Sequence, residues 1–151
     1  MEKSFNPSKM TTISDVQLIE IPKIHDRRGN LSVIEGETIP FVSKRVYYLY
    51  DVPSGSKRGG HAHKEQQELL IALSGSFDVI LKDGKNTKTV TLNKPNVGLL
   101  IVSGIWRELK NFSSGSVCLV LSSAEFSEED YIREFKKYKL FKDRGTNSDI
   151  G

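Results

Sequence analysis

Cysteine is almost missing from this chain: Cys118 is the single one in 151 residues, so no disulfide can form within it. It lies in the apolar run Val117-Cys118-Leu119-Val120-Leu121 and reads as a small buried hydrophobe rather than a nucleophile. Long hydrophobic runs are missing too. No stretch approaches the length of a membrane span, and the first residues, Met1-Glu2-Lys3-Ser4-Phe5-Asn6, hold no apolar signal core, so the expectation is a cytoplasmic protein with no membrane partner. Nor does one sign of charge dominate. The 22 Lys and Arg against 19 Asp and Glu leave +3, spread along the chain without a basic block, which argues against nucleic acid while leaving arginines for a phosphorylated small molecule. Internal repeats and low-complexity tracts are absent, and the length suits one domain over residues 1–151, with 1–11 and 144–151 expected to be flexible ends.

Short β-forming segments and turns make up most of what is there. Val16 to Ile21 reads as a strand stopped by Pro22, His25 to Asn30 as a charged turn, Leu31 to Glu35 as a short strand and Lys44 to Val52 as a stronger one. Further strands are expected at 77–81, 87–92, 97–102, 105–112 and 116–121, separated by turns such as Ser74-Gly75, Lys82-Asp83-Gly84 and Ser103-Gly104. Strands at this regular spacing indicate an all-β sandwich or barrel. The C-terminal part differs: Ser127 as N-cap, acidic residues 128–130 and an apolar stripe of Tyr131, Ile132, Phe135 and Tyr138 predict a short helix.

Chemistry concentrates at Arg58-Gly59-Gly60-His61-Ala62-His63-Lys64, which holds two of the three histidines. In an extended strand, residues two apart point to the same side, so both imidazoles share one cavity. If the strand stayed regular, Gln67 would share that face and Glu68 would point away unless a bulge intervened. In the strand around residue 47, Arg45, Tyr47 and Leu49 lie on one face and Val46, Tyr48 and Tyr50 on the other; the pattern does not say which faces inward.

Gly60-His61-x-His63 with Glu68 and Gly75 resembles the first motif of the cupins, whose histidines and glutamate bind a divalent metal in a jelly-roll barrel. The stretch matching the second motif, Ser103 to Arg107, has arginine where another histidine ligand would fall. A closer resemblance spans nearly the whole chain. Lys44-Arg45-Val46-Tyr47-Tyr48, Arg58-Gly59-x-His61-Ala62-His63-Lys64, Val97-Gly98-Leu99 with Trp106, and Asp130-Tyr131-Ile132-Arg133 are similar to the dTDP-4-keto-6-deoxyglucose 3,4-ketoisomerases of the WxcM-like group. That resemblance implies a cupin-type jelly roll, catalysis with no metal and no cofactor, and a homodimer with exchanged N-terminal strands. It also implies a dTDP-linked 4-keto-6-deoxyhexose as substrate, on the way to 3-amino-3,6-dideoxy sugars of surface glycans.

Moving a ketone from C4 to C3 requires removing the C3 proton, forming an enediol and returning a proton at C4, work suited to groups titrating near neutrality. His61 is the expected proton-transfer residue and His63 its partner, although the order can be reversed. Tyr48, ahead of Tyr47 and Tyr50, is the candidate to hydrogen-bond the enolate oxygen. Arg28 and Arg58 are candidates for holding the diphosphate, with Arg45, Gln67, Trp106 and Arg107 as further substrate contacts. Three readings compete: a metal-dependent cupin using His61, His63 and Glu68, a 3,5-epimerase, and a sugar-binding module without catalysis.

Overall fold

The computed structural model describes residues 7–143. Twelve strands carry the fold: β1 (Gln17–Glu20), β2 (Lys23–Asp26), β3 (Gly29–Ser32), β4 (Arg45–Leu49), β5 (Arg58–His63), β6 (Glu68–Ser74), β7 (Phe77–Lys82), β8 (Thr87–Leu92), β9 (Val97–Ile101), β10 (Trp106–Lys110), β11 (Val117–Ser122) and β12 (Tyr131–Ile132). One helix, α1 (Phe135–Lys142), follows them. The first sheet has the order β1-β9-β6-β11-β4 and the second β12-β5-β10-β7-β8, while β2 and β3 form a separate hairpin. Every pairing is antiparallel. This is the all-β sandwich with a short C-terminal helix that the strand spacing predicts.

Alternation sorts the apolar residues into three layers. Leu70, Ala72, Phe77, Val79, Leu81, Leu99, Ile101 and Val120 fill the space between the sheets. Leu69, Ile71, Leu100 and Leu121 point the other way from the first sheet and are covered by Ile21 and Ile39, with Ile34 and Phe41 packed alongside. This double burial explains why β6 is a continuous apolar run rather than an alternating one. On the outer face of the second sheet, Ala62, Trp106 and Ile132 pack under Tyr138 of α1. Each large side chain fully buried in this way contributes about 1.5–3 kcal/mol of hydrophobic stabilisation. Cys118 belongs to the inter-sheet core, and burial pushes its thiol up to about 12, as its apolar flanks suggest.

Two expectations change. The helix predicted from Ser127 begins later: Glu128–Asp130 form a single 3-10 turn, Tyr131–Ile132 become β12, and only Phe135–Lys142 are α-helical. The open edge of β5 decides this, because Tyr131 and Ile132 pair with His63 and Ala62 there, outweighing an amphipathic pattern of three turns. At the other end, residues 7–11 are held rather than loose, while 1–6 and 144–151 lie outside the described residues. The Lys142 ammonium donates to the Ser8 and Thr11 carbonyls at 2.8 and 2.7 Å, and the Thr11 hydroxyl donates to the Ser103 carbonyl at 2.8 Å. Among the described residues, no helix is long and apolar enough to cross a membrane.

Gly104 is where these segments meet. Its φ is +84°, and a Cβ there would stand 2.0 Å from the Ser8 carbonyl oxygen. Gly104→Ala combines left-handed strain with a backbone clash and is expected to destabilise the fold by about 2 kcal/mol or more, read as a lowered urea midpoint at unchanged slope.

Candidate active site

Strand parity builds the site. On β5, Ala62 faces the outer layer while His61 and His63 face the interior, and on β10 Trp106 faces out while its neighbour Arg107 faces in. Arg107 pairs with His61 across the β5–β10 ladder. From the opposite sheet come Glu68 of β6 and Tyr47 of β4. The expected misdirection of Glu68 does not occur, because β5 ends at His63 and the chain crosses to the other sheet before β6 begins. Parity restarts there, and Glu68, Leu70 and Ala72 all point inward.

These side chains line or underlie a cavity of about 340 Å³ whose walls include Arg45, Tyr47, Arg58, His61, Arg107 and Tyr131. That volume lies at the lower end of small-molecule sites. Glu68, fully buried at 0 % exposure, sits behind it. The Tyr47 hydroxyl donates to Glu68 at 3.2 Å, the Ser122 hydroxyl at 2.5 Å, and Arg107 Nη2 donates to Glu68 Oε1. His63 stands between two carboxylates, with Nδ1 3.0 Å from Asp130 Oδ2 and Nε2 3.6 Å from Glu68 Oε1. The His61 and His63 rings meet edge-on with centroids 4.9 Å apart, and the Tyr131 ring packs against both. Nε2 of each histidine is buried and has no hydrogen-bond partner among the described residues.

Burial and then the Arg107 charge, with His63 adding, hold His61 well below the ordinary imidazole range, so the ring is neutral near pH 7 and can accept a proton. Burial by itself would raise Glu68, but the Arg107 guanidinium, with His63 and Ser122, outweighs it and keeps the carboxyl below the usual carboxylate range. Burial also pushes the Tyr47 hydroxyl up, leaving it a proton donor in hydrogen bonds.

A divalent metal does not fit. His61, His63 and Glu68 do offer ligand atoms within 4.8 Å of one another. Yet the guanidinium of Arg107 is bonded to the same buried carboxylate, and both Glu68 oxygens already accept hydrogen bonds. A cation at that point would face a fixed positive charge at close range.

Of the residues expected from the sequence, the structure brings His61, Arg45, Arg58 and Arg107 to one cavity, with His63 directly behind His61. It moves four others away. Tyr48 is 59 % exposed on the outer face of β4, and its place is taken by Tyr47, because the Arg45-Tyr47-Leu49 face turns inward. Trp106 belongs to the outer layer under α1 and donates its Nε1–H to Glu108. Gln67 is used by its backbone, which exchanges hydrogen bonds with Ser123. Arg28 is at the tip of the β2–β3 hairpin, exposed and ion-paired with Asp26 at 2.6 Å. Conversely, Tyr131 and Arg133, part of the Asp130–Arg133 motif but given no site role from the sequence, line the cavity together with Phe126. The strand-like pairing of Tyr131 with His63 was masked by the helical spacing of its neighbours.

Comparison with known proteins follows the same lines. The sequence profile of the FdtA family, described as WxcM-like, C-terminal, matches residues 14–143. The chain is 43% identical over 126 residues to TDP-4-oxo-6-deoxy-alpha-D-glucose-3,4-oxoisomerase of Aneurinibacillus thermoaerophilus, covering 83% of this chain and 91% of that one. Among solved structures it is similar to a 3,4-ketoisomerase from Helicobacter canadensis, with TM-score 0.83, 41% identity and coverage of 85% and 98%. It is likewise similar to a mutant of the 3,4-ketoisomerase QdtA from Thermoanaerobacterium thermosaccharolyticum in complex with TDP-4-keto-6-deoxyglucose, with TM-score 0.84, 42% identity and coverage of 87% and 96%.

The depressed His61 has a consequence for stability. Its folded-state pKa lies below the unfolded value of about 6.5, so its contribution is complete above that pH and is lost as pH falls from there. Glu68 acts in the same direction below about pH 4.3. Between pH 6.5 and 5 the urea-derived stability is expected to fall by up to about 1.4 kcal/mol per pH unit, and His61→Gln is expected to remove most of that slope.

Proposed function

We propose that this chain, which belongs to the FdtA, WxcM-like family, is a sugar 3,4-ketoisomerase that moves the ketone of a dTDP-linked 4-keto-6-deoxyglucose from C4 to C3 by proton transfer at His61. The observation that carries this is the division of labour between the two histidines. His61 is a neutral imidazole on the cavity wall, whereas His63 stands behind it between Asp130 and Glu68.

Neutral His61 takes the proton from C3, which the adjacent C4 ketone makes acidic, and the electrons pass into a C3–C4 enediol. The O3 proton passes to O4 as the C3 carbonyl forms, and the proton held by His61 is delivered to C4. The enediolate oxygen carries the developing charge. Tyr47, held as an O–H donor, and the Arg107 guanidinium face the same cavity and suit that oxygen. Arg45 and Arg58 give the mouth the positive charge a diphosphate needs. The cationic partner of Glu68 supports catalysis without a metal or cofactor. The 3-keto product has the carbonyl that a transaminase needs to make a 3-amino-3,6-dideoxy sugar, and a cytoplasmic place beside the enzymes making nucleotide sugars goes with this reading.

A homodimer with exchanged N-terminal strands belongs to the same proposal. It is supported by the exposed Leu18, Ile24, Leu31, Val46, Tyr48 and Tyr50 on β1 to β4 and just after them, more apolar side chains than one region of a monomer usually shows. Sedimentation at twice the 17.0 kDa chain mass is expected; a monomer at all concentrations would remove the dimer.

Incubation with dTDP-4-keto-6-deoxyglucose in heavy water tests the reaction. The expected product is the 3-keto sugar, with any solvent deuterium at C4, and His61→Asn is expected to slow its formation at least about 100-fold. Deuterium at C3 and C5 with the ketone still at C4 would instead mean epimerisation, and no turnover by the wild type would mean a binding module.

A further inference from the structure

Asp130 takes no part in the proton transfer just described, yet it is tied to the histidine pair from outside the cavity. It ends the 3-10 turn Glu128–Asp130 and is followed directly by β12. Its Oδ2 stands 3.0 Å from His63 Nδ1 and accepts the Gln66 N–H at 3.3 Å, its Oδ1 accepts the Glu65 N–H at 2.8 Å, and its carbonyl accepts the Lys64 N–H at 2.9 Å. A carboxylate that collects backbone N–H groups is an acceptor, so the atom of His63 that faces it must be a donor. A His63 ring that carries a single proton therefore holds it on Nδ1, at 3.0 Å from Asp130, rather than on Nε2, which stands 3.6 Å from Glu68. The next residue, Tyr131, lays its ring against His61 and His63 at centroid distances of 4.8 and 4.4 Å.

We propose that Asp130 is a positioning residue for the isomerisation. By fixing the tautomer and the ring plane of His63, and by placing Tyr131 against both imidazoles, it holds the edge-on His61–His63 pair so that His61 is aimed at the sugar. The kinetic side of this inference rests on the isomerase reading above; the tautomer does not.

Asp130→Asn separates this role from simple support of the turn. The asparagine oxygen still accepts the Glu65 N–H, but its amide presents a donor to His63 Nδ1, so the neutral ring must move its proton to Nε2. Long-range proton–nitrogen spectra of the full chain labelled at histidine, with His63 assigned by a His63→Asn control and recorded where the rings are neutral, are expected to show the Nδ1–H form in the wild type and the Nε2–H form in Asp130→Asn. With dTDP-4-keto-6-deoxyglucose, kcat is expected to fall about 10- to 100-fold while KM stays within about two-fold, and Asp130→Glu, which restores a carboxylate, is expected to recover part of kcat. The Nε2–H form in the wild type would overturn the proposal whether or not the variant folds. So would an Asp130→Asn kcat within about two-fold of the wild type. A wild type with no isomerase activity would instead overturn the functional reading and the kinetic role with it, leaving the spectra to judge the Asp130–His63 contact alone.

Discussion

The ion pair between Glu68 and Arg107 is the constraint on which the site depends. One partner comes from each sheet, and the two meet buried between the layers. Neither charge can be left there alone: removing one member of such a pair costs about 3–5 kcal/mol, although the pair itself adds little net stability. Its worth lies in what it imposes on its neighbours. Burial first, and then the guanidinium, keep His61 neutral; the guanidinium also removes the appeal of Glu68 to a metal, while the carboxylate draws in the Tyr47 and Ser122 hydroxyls. A scaffold whose His-x-His spacing suits a metal thereby has a fixed guanidinium where the cation would sit.

Separation of the chemistry from the packing follows from the period of two on β5 and β10. His61, His63 and Arg107 project into the interior, and the residues between or beside them, Ala62 and Trp106, form the seat for α1. The same strands thus carry a polar inner face and an apolar outer one, an arrangement a sheet tolerates only when something covers the outside. Tyr138 supplies that cover, and its hydroxyl lies within hydrogen-bond reach of the Lys82 and Gly104 carbonyls, so no buried polar atom is left behind. Trp106, a candidate substrate contact on the family resemblance, is on the wrong side for that reason.

Much of this was legible in the sequence. The strands from 77 to 122, the inward histidine pair and the burial of Cys118 all follow from alternation and composition, and family resemblance supplied the reaction. What was not legible depends on long-range partners. Whether Tyr47 or Tyr48 faces inward is decided by the pairing of β4 with β11, which a self-consistent alternation cannot reveal. The orientation of Glu68 depends on a crossover between sheets, and that of Tyr131 on an unpaired strand edge that overrode helical periodicity. Arg28, by contrast, was a matter of reach: its hairpin belongs to neither large sheet, and Asp26 satisfies its charge locally.

The Lys142 ammonium, seated on the Ser8 and Thr11 carbonyls, fastens the last turn of α1 to the segment before β1. Fraying of α1 would take that ammonium away from both carbonyls, leaving the segment held by the Thr11 hydroxyl on Ser103 and the Ile13 N–H on Asp83. The two extremities of the described fold, far apart in sequence, are thus coupled through one side chain. Because α1 also roofs Ala62 and Trp106, its fraying would bare the back of the strands whose other face holds the His61 imidazole.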